Sequence, residues 1–389
     1  MSEWKLKDCC LSISDGDHLP PPKADSGIPF ITISNIDATN HIDFENTLFV
    51  PIDYYNKLDS IRKAKQNDII YSVVGSFGKP VLIKDDRKFV FQRHIAILRP
   101  NSEVVDSRFL YYVMLSRDFY MQADSVAIGA AQRTINLTSL RNMKVELPSL
   151  ANQIHIADIL SRYDSLIENY QKQIKLLEEA AQRLYKEWFV DLHFPGHEKT
   201  KIVDGVPEGW EKKRLIDLVD VQYGYAFDGK LFNNNGEGMP ILRIRNIPDG
   251  ITSDYTTEEA SPNYIVHDGD IVVGMDGIFH INSWNGGDAY LVQRACSFRP
   301  KEENTRGFVF QAIQEPIKYF EQTLVGATVA HLGKKHIDSI ELLVPANKDL
   351  YIPFQRGFMQ RQALLSQIRL LTEARDRLLP KLMSGEIAV

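Results

Sequence analysis

The chain has 389 residues, a formal net charge of -6 and a hydrophobic content of 44%, which favours two or three globular domains over a single core. This acidic balance excludes a general polyanion binder, so any contact with nucleic acid must use local faces. No apolar run approaches the roughly 18 residues of a membrane span, the N-terminus lacks a signal-peptide layout, and the three cysteines are scattered. We therefore expect a cytoplasmic protein without a disulfide framework or a zinc site.

Residues 1–150 predict a mixed domain of short strands with one or two helices. The stretch GIPFITISNID alternates apolar and polar residues, which predicts a strand with Thr32 and Ser34 on its outward face. A buried strand then enters a glycine turn at GSFGKP, another strand ends at Pro100, and residues 107–116 have helical periodicity. A polar loop led by Gly129 follows, and a strand ending at Pro148 closes the domain.

Residues 151–189 predict one long helix, because apolar residues recur at spacings of three and four without an intervening Pro or Gly. At about 1.5 Å per residue it would extend roughly 55 to 60 Å, which suits a spacer between two bodies. The same rhythm returns near the C-terminus, where Arg375 interrupts it and is expected to direct its charge to solvent. The first seam consists of Leu160, Tyr163, Ile167, Tyr170, Ile174, Leu177, Ala181, Leu184 and Trp188. The second seam consists of Leu364, Ile368, Leu371, Leu378 and Leu382.

The second half of the chain repeats the first half in the same order. WKLKD at Trp4 corresponds to WEKKR at Trp210, GIPFITISNI to GMPILRIRNI, FQRHIAILRP to LVQRACSFRP, and Gly129-Ala130 to Gly326-Ala327. We therefore predict an α+β protein in which two duplicated mixed α/β domains are joined by two long helices that form an antiparallel coiled-coil spacer around a pseudo-twofold axis. The predicted boundaries are a first domain at 1–150, a central helix at 151–190, a linker at 191–209, a second domain at 210–345 and a C-terminal helix at 346–389.

Motifs of catalysis are missing from the sequence. GSFGKP has the wrong glycine spacing for a phosphate loop and carries Pro80 where Ser or Thr would be needed. His197-Glu198 lacks the second His of a zinc protease, and neither a G-x-S-x-G segment nor a (D/N)-P-P-(Y/F) methyltransferase motif occurs. The sequence therefore predicts a protein that is not an enzyme and that holds no metal.

The segment LPSLANQIHIADILSRYDSLI resembles the conserved segment of specificity subunits of type I restriction-modification systems, where L-P-x-L-x-x-Q, I-A-x-x-L and D-x-x-I follow a target recognition domain. The final RLLPKLMSGEI is similar to the end of that family. The resemblance covers the whole chain, although NKDLYIPFQRGFMQR in the second copy departs from the first of these motifs. It implies that residues 1–150 and 210–345 are target recognition domains that read a bipartite, asymmetric DNA target.

The resemblance also implies a set of partners. Double-stranded DNA would be the ligand, two adenine-N6 methyltransferase subunits would bind the helices, and restriction and translocase subunits would join through them. S-adenosylmethionine, ATP and Mg would then belong to the partner subunits, and this chain would hold no cofactor. Two alternatives stay open, namely a duplicated coiled-coil scaffold that reads no DNA and an enzyme with an unrecognised site.

Comparison of the two copies separates candidate DNA contacts from scaffold residues. Identical positions are expected to hold the fold, and these are Asn35/Asn246, Asp68/Asp270, Gly75/Gly277, Phe77/Phe279 and Gln92-Arg93/Gln293-Arg294. Polar positions that differ could give the domains different half-sites, because Arg, for example, selects guanine by about 1 to 3 kcal/mol. An ordinary solvated strand, loop or cap remains the alternative for each of them. The candidates are Thr32, Ser34, Lys79, Gln132 and Arg133 in the first copy and Arg243, Arg245, His280, Asn282, Trp284 and His331 in the second.

Overall fold

The computed structural model describes residues 2–16, 21–37, 40–129, 132–324 and 330–387 of a chain that divides into two compact units. Unit 1 comprises Met1–Leu166 and Leu371–Val389, and unit 2 comprises Ile167–Leu370. Each unit contains its own sheets and helices and a part of each of two long helices.

In its described residues, the first half of the chain holds nine strands, five short helices and the first long helix. The strands are β1 (Ser2–Lys5), β2 (Cys10–Asp15), β3 (Ile28–Ile31), β4 (Leu48–Val50), β5 (Ile69–Ser72), β6 (Pro80–Leu82), β7 (Val90–Phe91), β8 (Ile95–Pro100) and β9 (Lys144–Leu147). The helices are α1 (Leu6–Cys9), α2 (Ile52–Lys57), α3 (Ser107–Leu115), α4 (Arg117–Val126), α5 (Leu137–Asn142) and α6 (Leu150–Tyr185).

Unit 1 is built on an antiparallel four-stranded sheet in the order β2-β8-β5-β6. A second sheet has the order β4-β3-β7, in which β3 is antiparallel to β4 and parallel to β7, and β1 pairs with β9. The main core contains Tyr71 from β5, Phe109 from α3 and Leu160 from α6, all of them buried. The first turns of the long helix are therefore part of the domain core.

The second half of the chain holds thirteen strands and five helices in the described residues. The strands are β10 (Ile202–Val203), β11 (Val206–Pro207), β12 (Glu211–Arg214), β13 (Val219–Tyr223), β14 (Phe232–Asn233), β15 (Met239–Leu242), β16 (Tyr255–Thr256), β17 (Ile265–Val266), β18 (Ile271–Gly274), β19 (Ile281–Ser283), β20 (Ala289–Leu291), β21 (Ala295–Pro300) and β22 (Glu341–Val344). The helices are α7 (Leu215–Leu218), α8 (Arg306–Ala312), α9 (Gln314–Thr323), α10 (Lys334–Asp338) and α11 (Ile352–Ser384).

Unit 2 repeats the four-stranded sheet and one strand pair of unit 1, whereas its sheet that contains β15 has five strands in the order β14-β16-β15-β20-β17. The antiparallel order β13-β21-β18-β19 corresponds to β2-β8-β5-β6, and the pair β12-β22 corresponds to β1-β9. A buried carboxylate holds an arginine at the same place in each copy, since Asp68 accepts bonds of 2.8 and 3.0 Å from Arg99 and Asp270 accepts one of 3.3 Å from Arg299. The duplication and the α+β fold class are therefore confirmed, as is the scaffold role of these two aspartates.

The heptad seams form the inward faces of α6 and α11. Leu160, Ile167 and Ile174 are buried, as are Leu364 and Leu382, whereas most of the residues between them are half-buried or exposed. The predicted helix is thus confirmed; it starts at Leu150 and ends in a π-helical turn over Lys186–Val190. No helix in the described part of the chain has both the length and the apolar character that crossing a membrane requires.

Side-chain contacts within unit 2 show that α6 and α11 run antiparallel there. In unit 1 Asp164 binds Arg375 at 2.7 Å, and in unit 2 Glu178 binds Arg361 at 2.6 Å. Later along α6 the ring of Tyr185 lies 6.2 Å from that of Phe354, which is earlier along α11 than Arg361, and this is the antiparallel order. The packing of the helix pair therefore agrees with the predicted coiled coil.

The expectation that Arg375 directs its charge to solvent is wrong. Its guanidinium bridges Asp164 and Asp376, and Asp164 also accepts a 2.5 Å bond from the hydroxyl of Tyr112 on α3. Burial alone would lower the pKa of Arg375, but the bonds to Asp164 and Asp376 outweigh it and raise that pKa. The arginine therefore stays charged and joins the helix pair to the domain, because the surrounding carboxylates compensate for its desolvation.

Candidate nucleic-acid interface

In unit 1 the three predicted groups of DNA contacts lie next to one another around the glycine turn. Gly75 has a positive φ of 68°, which a residue without a Cβ adopts readily, and its N–H donates to the carbonyl of Arg133 at 2.9 Å. At the end of the turn, Lys79 Nζ donates to the carbonyls of Ile36 and Asp37, each at 3.3 Å. We define the first recognition surface as Thr32, Ser34, Lys79, Arg93, Gln132 and Arg133.

Unit 2 has the same arrangement with different side chains. Gly277 has a φ of 71°, and its N–H donates to the carbonyl of Ala330 at 3.0 Å. Asp276 lies beside this glycine and accepts bonds from His331 at 2.5 Å and from Arg294 at 2.6 Å. We define the second recognition surface as Arg243, Arg245, His280, Arg294 and His331.

The backbone pairing at the two glycine turns aligns the two polar loops. Val74 forms a β-bridge with Thr134, and Asp276 forms the corresponding bridge with His331. His331 therefore occupies the place of Thr134, one residue after the position that carries Arg133 in the first copy. The other residues of the Gly-Ala comparison, Ala130, Gly326 and Ala327, lie outside the described residues.

The segment predicted as one alternating strand is shorter than expected in both copies. β3 ends at Ile31 and β15 ends at Leu242, and a 3-10 turn follows in each case. Asn35 and Asn246 cap these turns, because their side-chain oxygens accept the N–H groups of Thr32 and Arg243, both at 2.9 Å. Thr32 and Arg243 therefore stand at the start of a turn, and the two identical asparagines have the predicted scaffold role.

The two arginines of this turn have different environments. Arg245 makes a two-pronged ion pair with Asp254, with bonds of 3.1 and 2.5 Å, and only 4% of Asp254 is exposed. Arg243 lies over the ring of Phe232 at 5.4 Å and has no carboxylate partner among the residues that the structure describes. Arg243 is therefore the free guanidinium of the turn, whereas Arg245 is held by the protein itself.

Replacing Arg245 with alanine is expected to lower the free energy of unfolding by roughly 1 kcal/mol, because the buried carboxylate of Asp254 loses its partner. Urea unfolding of the full chain measures this change. Asp254→Asn is the matched control, since an amide oxygen still accepts a bond from Arg245 and the loss should be smaller. Unchanged stability together with lost selection of one half-site would instead make Arg245 a base contact.

Trp284 and Asn282 do not have the exposed positions that were predicted for them. Trp284 is fully buried and donates its Nε1–H to the carbonyl of Gly287, so the prediction of a direct DNA contact is wrong for it. The amide of Asn282 donates to the carbonyls of Ile247 and Pro248 at 2.9 and 3.0 Å, directly after the turn that bears Arg243. Asn282 therefore supports the second recognition surface from within the protein.

The remaining candidates differ in how firmly the protein holds them. Arg133 donates to the carboxylate and the carbonyl of Asp124 and lies 5.4 Å from the ring centre of Phe77. Gln132 is exposed, and His280 is half-buried; neither side chain has a hydrogen-bond partner in the described ranges. Gln132 and His280 are therefore available to a ligand without breaking an internal contact.

Asp276 organises the charge at the edge of the second recognition surface. Burial raises its pKa, but the hydrogen bonds from His331 and Arg294 outweigh burial and hold the pKa below its ordinary value. The ionised carboxylate fixes both side chains at one place, while about 58% of the His331 side chain and 68% of the Arg294 side chain stay exposed. Two polar side chains are thus presented to solvent in a defined position.

Comparison of the copies assigned Arg93 and Arg294 to the scaffold, and the structure places both on the surface. Arg93 is exposed and has no ion-pair or hydrogen-bond partner in the part of the chain that the structure describes. Each arginine lies close to its glycine turn, but the predicted pairing of Arg93 with Arg294 is wrong. The N–H of Val73 donates to the carbonyl of His94 and the N–H of Met275 donates to that of Arg294, so Arg294 corresponds to His94 and Arg93 to Gln293. The sequence comparison missed this difference, because the motif QR recurs one position out of register in the second copy.

Both surfaces present hydrogen-bond donors and acceptors, which suits recognition of a polar ligand. Within the described ranges, no group of three or more His, Cys, Asp or Glu side chains is arranged to hold a metal ion. At the two glycine turns the polar side chains differ between the copies, while the backbone pairing is shared.

Comparison with known proteins matches this chain to the family that its sequence motifs resemble. The model of the type I restriction modification DNA specificity domain matches residues 3–179 and 207–355. The type I restriction enzyme MjaIX specificity subunit of Methanocaldococcus jannaschii is 26% identical over 75% of this chain and 71% of its own length. The HindI specificity subunit of Haemophilus influenzae is 24% identical over 100% of both chains. The crystal structure of a type I restriction-modification S subunit from M. genitalium shares the fold, with a TM-score of 0.56 and 17% identity over 98% of this chain and 95% of that chain.

Proposed function

This chain belongs to the type I restriction-modification DNA specificity family, and on that basis we propose that it is the subunit that selects the DNA target. Residues 1–150 and 210–345 are the two target recognition domains, and each reads one half of a bipartite, asymmetric sequence. The observation that carries this proposal is the repeated glycine-turn framework, on which Arg133 and Thr134 are replaced by Ala330 and His331. One framework with different polar side chains is what two unlike half-sites require.

The side chains of the two recognition surfaces take different roles in this proposal. Arg243 and His331 in the second copy and Gln132 in the first are the base-reading candidates, because they are exposed or free of strong internal partners. Arg93 and Arg294 are the phosphate-contact candidates, because each is an exposed basic side chain close to its glycine turn. Phosphate contacts position a protein on DNA without selecting its sequence.

The partner subunits would bind the outward faces of the two long helices. The buried seam residues are used within the chain, but several large apolar side chains of α6 and α11 are exposed: Ile154, Leu166, Leu176, Met359 and Leu370. We assign these faces to two adenine-N6 methyltransferase subunits, through which restriction and translocase subunits join the complex. S-adenosylmethionine, ATP and Mg would be held by those partners, and the complex would act on DNA in the cytoplasm.

Long-read sequencing of methylated DNA tests the proposal. A host expressing this chain with its methyltransferase partner is compared with a host expressing the methyltransferase alone. We expect methylated adenines in a motif of two short blocks separated by a fixed gap, and only when this chain is present. If the complex assembles and no new methylation follows, the chain does not select the target, and the scaffold alternative takes its place.

A further inference from the structure

A buried arginine on α11 connects the helix pair of unit 2 to its recognition surface. Arg361 is only 8% exposed. Its Nε donates to Glu178 Oε1 on α6 at 2.6 Å, and its Nη2 donates to Asn282 Oδ1 on β19 at 2.9 Å. Its Nη1 donates to the hydroxyl of Ser283, and the guanidinium lies over the ring of Phe310 at 5.4 Å. Each nitrogen of the fork thus has a partner.

The connection continues from Asn282 to the turn that bears the free arginine. The side-chain amide of Asn282 donates to the carbonyls of Ile247 and Pro248, which directly follow the 3-10 turn Ile244–Asn246. Asn282 therefore uses its oxygen for Arg361 and its nitrogen for the backbone beside Arg243. An unbroken series of hydrogen bonds runs from Glu178 on α6 to this backbone.

The planar geometry of the guanidinium makes this series of hydrogen bonds rigid. Arginine presents its donors in a planar fork, so binding three partners at once fixes the position of each relative to the others. A buried cation is costly to strip of its partners, so small displacements of β19 away from α11 are opposed. A displacement of Asn282 would move the backbone that carries Arg243, because the amide holds two carbonyls of that segment.

We propose that Arg361 is a positioning residue that sets the base selection of the second recognition surface from the helix pair, without touching DNA. The proposal rests on the proposed function and extends it, because selection of one half-site would depend on a residue of the long helix. A change in the packing of α6 and α11 around Arg361 would then be transmitted to the half-site that unit 2 reads.

The test measures the methylated fraction of targets that carry single-base changes in either half, with the complex co-expressed as for the wild type. Arg361→Met removes the fork and keeps an apolar stem, and Asn282→Asp keeps the acceptor for Arg361 but replaces the donor to the two carbonyls. Both variants are expected to lower discrimination about 2- to 30-fold, in the half-site that Arg243→Ala relaxes. The other half-site should keep its selectivity.

Arg369→Met is the matched control, because Arg369 is on the same helix and binds Asp268 at 3.4 Å without a bond to Asn282. Arg369→Met should leave the selectivity of both half-sites unchanged.

If Arg361→Met does not yield an assembled complex, Asn282→Asp decides, since the exchange of Asn for Asp is nearly isosteric. Wild-type discrimination in an assembled Asn282→Asp or Arg361→Met complex would overturn the inference, as would equal loss in both half-sites. A wild-type complex that produces no motif would overturn the proposed function and the inference with it.

Discussion

Replacing Arg243 with alanine is expected to relax base selection in one half of the target by about 1 to 3 kcal/mol, or roughly 5- to 150-fold. The guanidinium has no carboxylate partner in the described residues, and it lies 5.4 Å from the centre of the Phe232 ring. The side chain of Asn246 accepts the backbone N–H of Arg243 and so holds the start of this residue in place. A donor fork that is oriented and otherwise unused fits a guanine edge, whose two acceptors it can bind together. The measurement is the methylated fraction at targets with single-base changes in each half.

Arg243→Lys is the control for this prediction. Lysine keeps the positive charge but has no planar fork, so overall binding should persist while selection at one position falls. Equal weakening at every sequence by Arg243→Ala, with a smaller dependence of binding on salt, would show that Arg243 contacts a phosphate instead.

Replacing Trp284 with alanine is expected to destabilise the chain by about 3 to 5 kcal/mol, which is the usual cost of removing a large aromatic side chain from a core. The indole is fully buried in a cluster with Leu242, Val272 and Leu291, and a Cβ on Gly286 would lie 2.4 Å from one of its ring carbons. Urea unfolding of the full chain, followed by circular dichroism, measures the loss.

Trp284→Phe separates a core role from a DNA contact. Phenylalanine retains most of the buried ring, so the destabilisation should be clearly smaller and the target sequence should stay the same. A Trp284→Ala chain that unfolds at the wild-type urea concentration but reads a different sequence would make the tryptophan a DNA contact and contradict its assignment to the core.

The repetition of the chain and its long helices could be predicted from the sequence, because both leave a regular pattern in the order of residues along the chain. Seam residues such as Leu160 and Ile174 recur with the helical period, and that period alone selects the inward face. Paired motifs such as those at Asp68 and Asp270 keep their order along the chain, and these identical side chains bind an arginine at the same place in each copy. The fold class follows from such regularities.

The availability of each polar side chain was decided by the tertiary structure alone. Arg243 and Arg245 are two residues apart and chemically alike, yet Asp254 reaches only Arg245, and no local pattern predicts which of them a distant carboxylate will bind. Trp284 looks like a loop aromatic in the sequence, but its ring is enclosed by strands that pair only after folding. Periodicity determines which face of an element points inward, whereas the free or engaged state of a polar group depends on partners that are far away in the chain.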